Sequence, residues 1–126
     1  MPFIYRYAND TPPAPYVLVI VAHPDGSAPT PDLPAKVDTG ADRTIIPTEL
    51  AASLGLRPAG RLPFAGLGGQ QVELPVYEIQ LVVRALAPIL VEVAASDGEP
   101  HVLLGRDVLN RYRIVLDGPN GKLEIG

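Results

Sequence analysis

The chain has 126 residues, 47% of them apolar, with a net charge of −4. That is one domain's length with enough apolar side chains for a core. The scattered acids and bases argue against a nucleic-acid or anionic-membrane partner, and the absence of cysteine excludes disulfides, thiolate chemistry and cysteine-based zinc sites. The amino terminus, "MPFIYRYAND", lacks the basic start and long apolar run of a signal peptide, and the run Tyr16–Ala22 is too short to span a bilayer. A cytoplasmic protein with no membrane association is expected.

Fifteen prolines and twelve glycines break the apolar runs into short pieces, which predicts many short strands rather than long helices. Tyr16–Ala22 is a buried strand. Pro24-Asp25-Gly26 turns the chain, and residues 27–34, "SAPTPDLP", read as a loop too rich in proline to pair. Lys36–Asp38 is a strand entering a polar turn, and Thr44–Ile46 is the strand leaving it. Thr48 is expected to cap a short helix with Leu50 and Leu54 on one face and Gly55 at its end. Residues 61–83 alternate about a glycine cluster, "AGLGGQ" at 65–70. Val72, Leu74 and Val76 keep one phase and Tyr77, Ile79 and Leu81 the other, so a bulge is expected near Pro75. Ile89–Val93 is a further strand and Asp97-Gly98 a further turn. Residues 101–116, "HVLLGRDVLNRYRIVL", read as strand, glycine, one or two helical turns over 106–111, and strand; Asp117–Gly121 then folds the chain back onto "KLEI". The whole, residues 1–126, is one mainly β, barrel-like domain with two small helices.

The stretch "PAKVDTGADRTIIP", residues 34–47, sets an aspartate at the end of an apolar strand. A carboxylate so placed is costly to leave charged without donors or a partner that shares its proton. Gly40 lets the backbone fold close enough for N–H groups to face Asp38, and the Thr39 hydroxyl can lock the loop. An ordinary aspartate in a turn is the plain alternative for these three residues taken alone. The glycines Gly66, Gly68 and Gly69 with Leu67 do not form a phosphate loop, because no Lys-Ser/Thr pair follows. His23 and His101 stand apart without ligand spacing, so no metal and no cofactor are expected.

Three elements together change the weighing. "VDTGADRTIIP", a glycine-tipped hairpin and "VLLGRDVL" occur in that order, and over roughly residues 16–117 the chain resembles the retropepsin-like aspartic proteases, the family of the retroviral proteases. The resemblance implies a closed acid-protease-like β-barrel with a flap hairpin, an active site shared by two subunits, and hydrolysis of peptide bonds. Asp38 is then the catalytic aspartate. Thr39 bonds across the dimer axis, Gly40 offers its backbone to the carboxylate and the substrate, and Ala41 and Asp42 border the substrate. Gly66-Leu67-Gly68-Gly69 corresponds to the flap tip. Gly105-Arg106-Asp107 corresponds to the family's glycine-arginine element, in which Arg106 pairs with Asp42; for an isolated arginine a solvated helix charge is the alternative. Arg43, the loop at 24–34 and the carboxyl-terminal hairpin at 113–125 depart from the viral pattern.

The chemistry implied is that of two Asp38 carboxylates in a homodimer, holding one proton between them and activating a water against an extended peptide. The single Asp-Thr-Gly requires a second copy of the chain. The apolar residues Phe3, Ile4 and Tyr5, and the strand near Leu123 and Ile125, are candidates to extend the dimer interface. The alternative function is a retropepsin-like dimerising or peptide-binding module with little or no turnover.

Overall fold

A computed structural model describes residues 3–65, 68–84 and 86–126. In chain order it contains β1 (Phe3–Arg6), β2 (Tyr16–Ala22), β3 (Leu33–Val37), β4 (Ile45–Pro47), helix α1 (Thr48–Ser53), β5 (Gly60–Ala65), β6 (Gln71–Val83), β7 (Ile89–Ser96), β8 (Val102–Leu104), helix α2 (Arg106–Leu109), β9 (Ile114–Asp117) and β10 (Lys122–Ile125). The mainly β class follows from short β-branched runs cut by turn residues.

Strands β2-β3-β8-β4-β7-β6-β5 form one sheet, and an added pairing of β2 with β6 closes six of them into a ring. Alternation decides what the ring encloses. Val17, Val19 and Val21 of β2, Ile79, Leu81 and Val83 of β6, and Val93 of β7 are all fully buried, as a period of two requires of strands with one face inward.

Strand β6 does most of the joining. Its first part pairs with β5 from Gly60↔Val76 to Ala65↔Gln71, its middle with β7 from Val76↔Ala94 to Leu81↔Ile89, and its end with β2. All three registers run in single steps, so the bulge expected near Pro75 is absent. The apparent phase change has another cause. Before Val76 the strand belongs to a hairpin that projects from the ring, where Val72 is half exposed and no core imposes a phase.

Two smaller expectations are corrected. Pairing starts inside the proline-rich loop, since Leu33 and Pro34 lie opposite Val19 and Leu18. Pro34 is tolerated there because it stands at the strand's start, before β8 joins at Ala35. Helix α1 begins at Thr48 itself, with Pro47 in the capping position and no side-chain cap. Gly55 does end that helix, at φ +64.

The termini form a second sheet in the order β1-β10-β9. Phe3 lies opposite Ile125 and Tyr5 opposite Leu123, and Leu123 and Ile125 are fully buried in the chain's own core. Those two side chains are therefore committed within the chain.

Candidate active site

Strand β8 lies between β3, to which it is parallel, and β4, to which it is antiparallel. The chain thus runs up β3, arches over the carboxyl end of β8 and returns down β4. Residues 38–44 are that arch, and Asp38 begins it.

The arch is tied down from beneath. Asp38 donates its N–H to Leu104 O at 3.0 Å, Arg106 its N–H to Ala41 O at 2.8 Å, and Asp107 its N–H to Asp42 O at 3.3 Å. The Arg106 guanidinium adds a bond from Nη1 to Thr39 O at 2.8 Å. Within the arch, Gly40 N–H donates to Asp38 Oδ1 at 3.0 Å. One carboxylate oxygen is thereby fixed by a backbone donor, as the glycine led us to expect. Thr39 and Gly40 themselves are exposed in the single chain.

Directly under the arch lies Gly105, which is buried. A Cβ there would stand 2.5 Å from Arg43 C and 2.6 Å from Arg43 O. The requirement for glycine is one of close approach rather than of dihedral angle, since Gly105 has φ −90 and ψ −178.

The polar centre of this assembly is a residue pair that sequence reasoning missed. Thr44 is fully buried. It donates its N–H to Asp107 Oδ2 at 3.0 Å and its hydroxyl to Asp107 Oδ1 at 2.8 Å, while its Oγ1 accepts from Gly105 N–H at 3.1 Å. Asp107 Oδ1 also accepts from Val108 N–H at 2.9 Å. A buried polar group must find partners of this kind. The available signal was a hydroxyl at the inward end of an otherwise isoleucine strand.

Asp42 and Arg106 do approach each other, Arg106 Nη2 lying 3.6 Å from Asp42 Oδ1, but their side chains are 45% (Arg106) and 89% (Asp42) exposed. Such a pair in water contributes about 0–1 kcal/mol. Arg106→Ala is therefore expected to lower the chain's stability by about 1 kcal/mol. A thermal melt showing a loss of about 3–5 kcal/mol, the size for a broken buried pair, would contradict this reading.

Upstream on β3, the Lys36 ammonium lies 2.6 Å from Asp10 Oδ2, and the Tyr16 hydroxyl donates to Asp10 Oδ1 at 3.0 Å. The hydrogen bond from Lys36, then that from Tyr16, holds the Asp10 carboxyl below its usual value. This cluster pins the segment before β2 against the strand that delivers Asp38. Its contribution is present above the ordinary aspartate range and fades as pH falls through the lowered value.

A cleft of about 500 Å³ separates the arch from the hairpin of β5 and β6. Gly40, Ala41, Asp42, Arg43 and Ile45 line one side, and Leu62, Pro63, Phe64 and Ala65 of β5 the other. The β5 wall was not foreseen in the sequence, which drew attention only to the glycines. Arg43 is held at the rim by Glu92, Nη1 to Oε1 at 3.3 Å. Of the expected flap tip, Gly66 and Leu67 lie outside the described residues. Gly68 and Gly69 have φ +87 and +78, dihedrals that glycine adopts freely. No group of three or more potential metal-ligating side chains occurs among the described residues, and no helix among them is long and apolar enough to cross a membrane.

A family model described as "gag-polyprotein putative aspartyl protease" matches residues 30–111, which span the arch, the hairpin and α2. No curated protein matches. The fold is similar to that of a retropepsin-like aspartic protease from Rickettsia conorii, at 20% identity, TM-score 0.58 and 98% coverage of each chain. It is also similar to EIAV protease complexed with the inhibitor HBY-793, at 23% identity and TM-score 0.55, over 82% of this chain and 92% of that one. Simian foamy virus protease gives 21% identity and TM-score 0.55, over 75% and 91%.

Proposed function

The chain belongs to the retropepsin-like family of gag-polyprotein aspartyl proteases, and on that premise we propose that it is an aspartic endopeptidase whose site is completed by a second copy of itself. One observation carries the reading. Asp38 stands at the strand end with one oxygen fixed by Gly40 N–H, in an arch whose neighbouring residues line a cleft facing a hairpin. Its sequence holds a single Asp-Thr-Gly.

Two Asp38 carboxylates brought together cannot both ionise cheaply, so the pair retains one proton. The ionised member takes a proton from a water lying between them. The water oxygen attacks the scissile carbonyl carbon, and the protonated member gives its proton to the carbonyl oxygen. Collapse of the resulting tetrahedral species breaks the C–N bond, with a proton passing to the leaving nitrogen. The substrate is an extended peptide lying between the arch and the β5–β6 hairpin, gaining main-chain hydrogen bonds as an added strand. Closure of that hairpin excludes water and orients the bond. Thr39, exposed in the single chain, braces its counterpart across the axis.

Digestion of a peptide library tests the reading through two dependences. The rate is expected to follow a bell-shaped pH profile with its optimum on the acidic side of neutral, both limbs belonging to the pair of carboxylates. Specific activity is expected to fall on dilution. A rate that climbs steadily into alkaline pH, or a library left uncut at every pH and concentration, would overturn the proposal. The second outcome leaves a peptide-binding module with no turnover.

A further inference from the structure

Strand β3 keeps its alternation through Asp38 itself. Val37 donates its N–H to Pro15 O, beside β2, at 3.0 Å, and Asp38 donates its N–H to Leu104 O of β8 at 3.0 Å. Successive donors leave by opposite edges, as an extended strand requires, so successive side chains leave by opposite faces. Ala35 and Val37 point into the ring and are buried. Lys36 and Asp38 therefore share the other face, two residues apart.

Alternate residues on a strand lie about 6–7 Å apart, inside the screening length of about 10 Å at 0.1 M salt. The Lys36 ammonium is held above its usual value, by the Asp10 hydrogen bond first and with a smaller contribution from the Asp38 charge. Lys36 is not a lone cation, since Asp10 Oδ2 lies 2.6 Å from its Nζ. The two side chains are 40% (Lys36) and 32% (Asp10) exposed, so breaking the pair costs the fold little. The other charged groups about Asp38 are engaged elsewhere. Arg106 turns Nη1 to Thr39 O and Nη2 toward Asp42, and Arg43 is paired with Glu92. The Asp107 carboxylate is taken up by Thr44 and Val108 N–H. About Asp10 stand the Tyr16 hydroxyl, bonded to Oδ1 at 3.0 Å, and His101, whose ring meets Tyr16 edge-on at 5.5 Å. The Glu99 charge also reaches Tyr16.

We infer, resting on the shared-site reading, that the Lys36–Asp10 pair sets the pH window in which the two Asp38 carboxylates hold their single proton. Lys36 is a positioning residue that acts through Asp38. Its charge favours the ionised forms of the carboxylate pair and draws both limbs of the rate profile to lower pH. The Asp10 charge opposes it. While the ion pair is intact the two effects largely cancel, and loss of either member unmasks the other. Twofold symmetry repeats the ion pair in the second copy, so each carboxylate has its own.

The test reads the limbs of the pH–rate profile for peptide cleavage, not the rate at its optimum. Lys36→Met deletes the cation and leaves Asp10 uncompensated. Both limbs are expected to move up by about half a pH unit, the displacement that one charge produces at about 6–7 Å in water-like surroundings. Asp10→Asn keeps an acceptor for the Tyr16 hydroxyl and leaves Lys36 uncompensated, so both limbs are expected to move down. Lys36→Arg keeps the charge and is expected to keep the parent's limbs. A merely structural pair behaves otherwise: loss of either member loosens the segment before β2, lowers the melting temperature and the optimum rate alike, and leaves the limbs in place. Asp10→Asn and Lys36→Arg decide the matter even if Lys36→Met fails to fold. Limbs unmoved in Asp10→Asn, or displaced the same way in both charge-removing variants, would overturn this role for Lys36 and leave the shared site standing. A parent chain that cuts no peptide at any pH would overturn the shared site, and this role with it.

Discussion

Asp38→Asn is expected to abolish peptide cleavage, a loss of at least about 10³-fold, while the chain keeps its fold. The amide cannot take the proton of the attacking water, and it cannot share a proton with the second Asp38. The fold survives because the bonds that shape the arch are mostly main-chain ones: Asp38 N–H to Leu104 O, and Arg106 N–H to Ala41 O. The amide oxygen can still accept the Gly40 N–H. Removing the carboxylate pair and its shared negative charge from the centre of a dimer is expected to leave association unchanged or tighter. The variant is therefore a poison. Mixed at four parts to one of parent, with chains assorting at random, it is expected to leave about one fifth of the activity per parent chain. Cleavage undiminished in a purified Asp38→Asn sample removes Asp38 from the mechanism. Activity that simply tracks the parent's concentration in the mixture removes the shared site.

The site's local parts were legible because each is written in a few adjacent residues. The Asp-Thr-Gly turn, the glycine tip between alternating strands and the Gly-Arg-Asp start of α2 all follow from chemistry visible within a short window. The strand Tyr16–Ala22 was legible to the residue because alternation and bounding turns agree. What was not legible depends on pairing across the chain. Thr44 and Asp107 are 63 residues apart, and nothing local distinguishes their bonds from a turn hydroxyl and a solvated helix acid. The apparent slip at Pro75 came from a strand handed from one partner to the next, a distinction that periodicity alone cannot make. Phe3 opposite Ile125 closes the terminal sheet within the chain. An apolar strand reads the same in sequence whether its partner is its own chain or another. The resemblance pairs Arg106 with Asp42; the structure also gives it a carbonyl to hold, Thr39 O, and leaves its carboxylate partner in water.

Gly105→Ala is expected to be the most disruptive single-methyl addition near the site. The backbone there, φ −90 and ψ −178, is open to any residue, so no cost comes from dihedral strain. The cost is steric. The new Cβ would lie 2.5, 2.6 and 2.8 Å from C, O and N of Arg43, and all three are backbone atoms of the arch. A flexible side chain could swing aside, but this stretch is held by bonds to α2 on both flanks: Asp107 N–H to Asp42 O, and Thr44 to the Asp107 carboxylate. Relief requires lifting residues 42–44, and that breaks the buried Thr44 hydroxyl away from Gly105 N–H. Overpacking with loss of a buried bond is expected to cost about 3 kcal/mol, a drop in Tm of roughly 10 °C for a domain of this size. Cleavage is expected to fall further than stability explains. A displacement of about 1 Å in a positioning loop costs on the order of 100-fold in rate, and it is felt well below the melting temperature. Gly118→Ala separates this from a general effect of removing glycine. Gly118 has nothing within 4 Å of its Cβ position, so the substitution is expected to stay within about 0.5 kcal/mol of the parent. Thr44→Val then isolates the bond from the clash: it keeps the volume and deletes the hydroxyl, leaving Gly105 N–H unpaired. It is expected to lose about 1–3 kcal/mol without the clash. Equal melting temperatures and equal peptide turnover for Gly105→Ala and Gly118→Ala would show that the arch yields freely, and that Asp38 is not held in place from beneath.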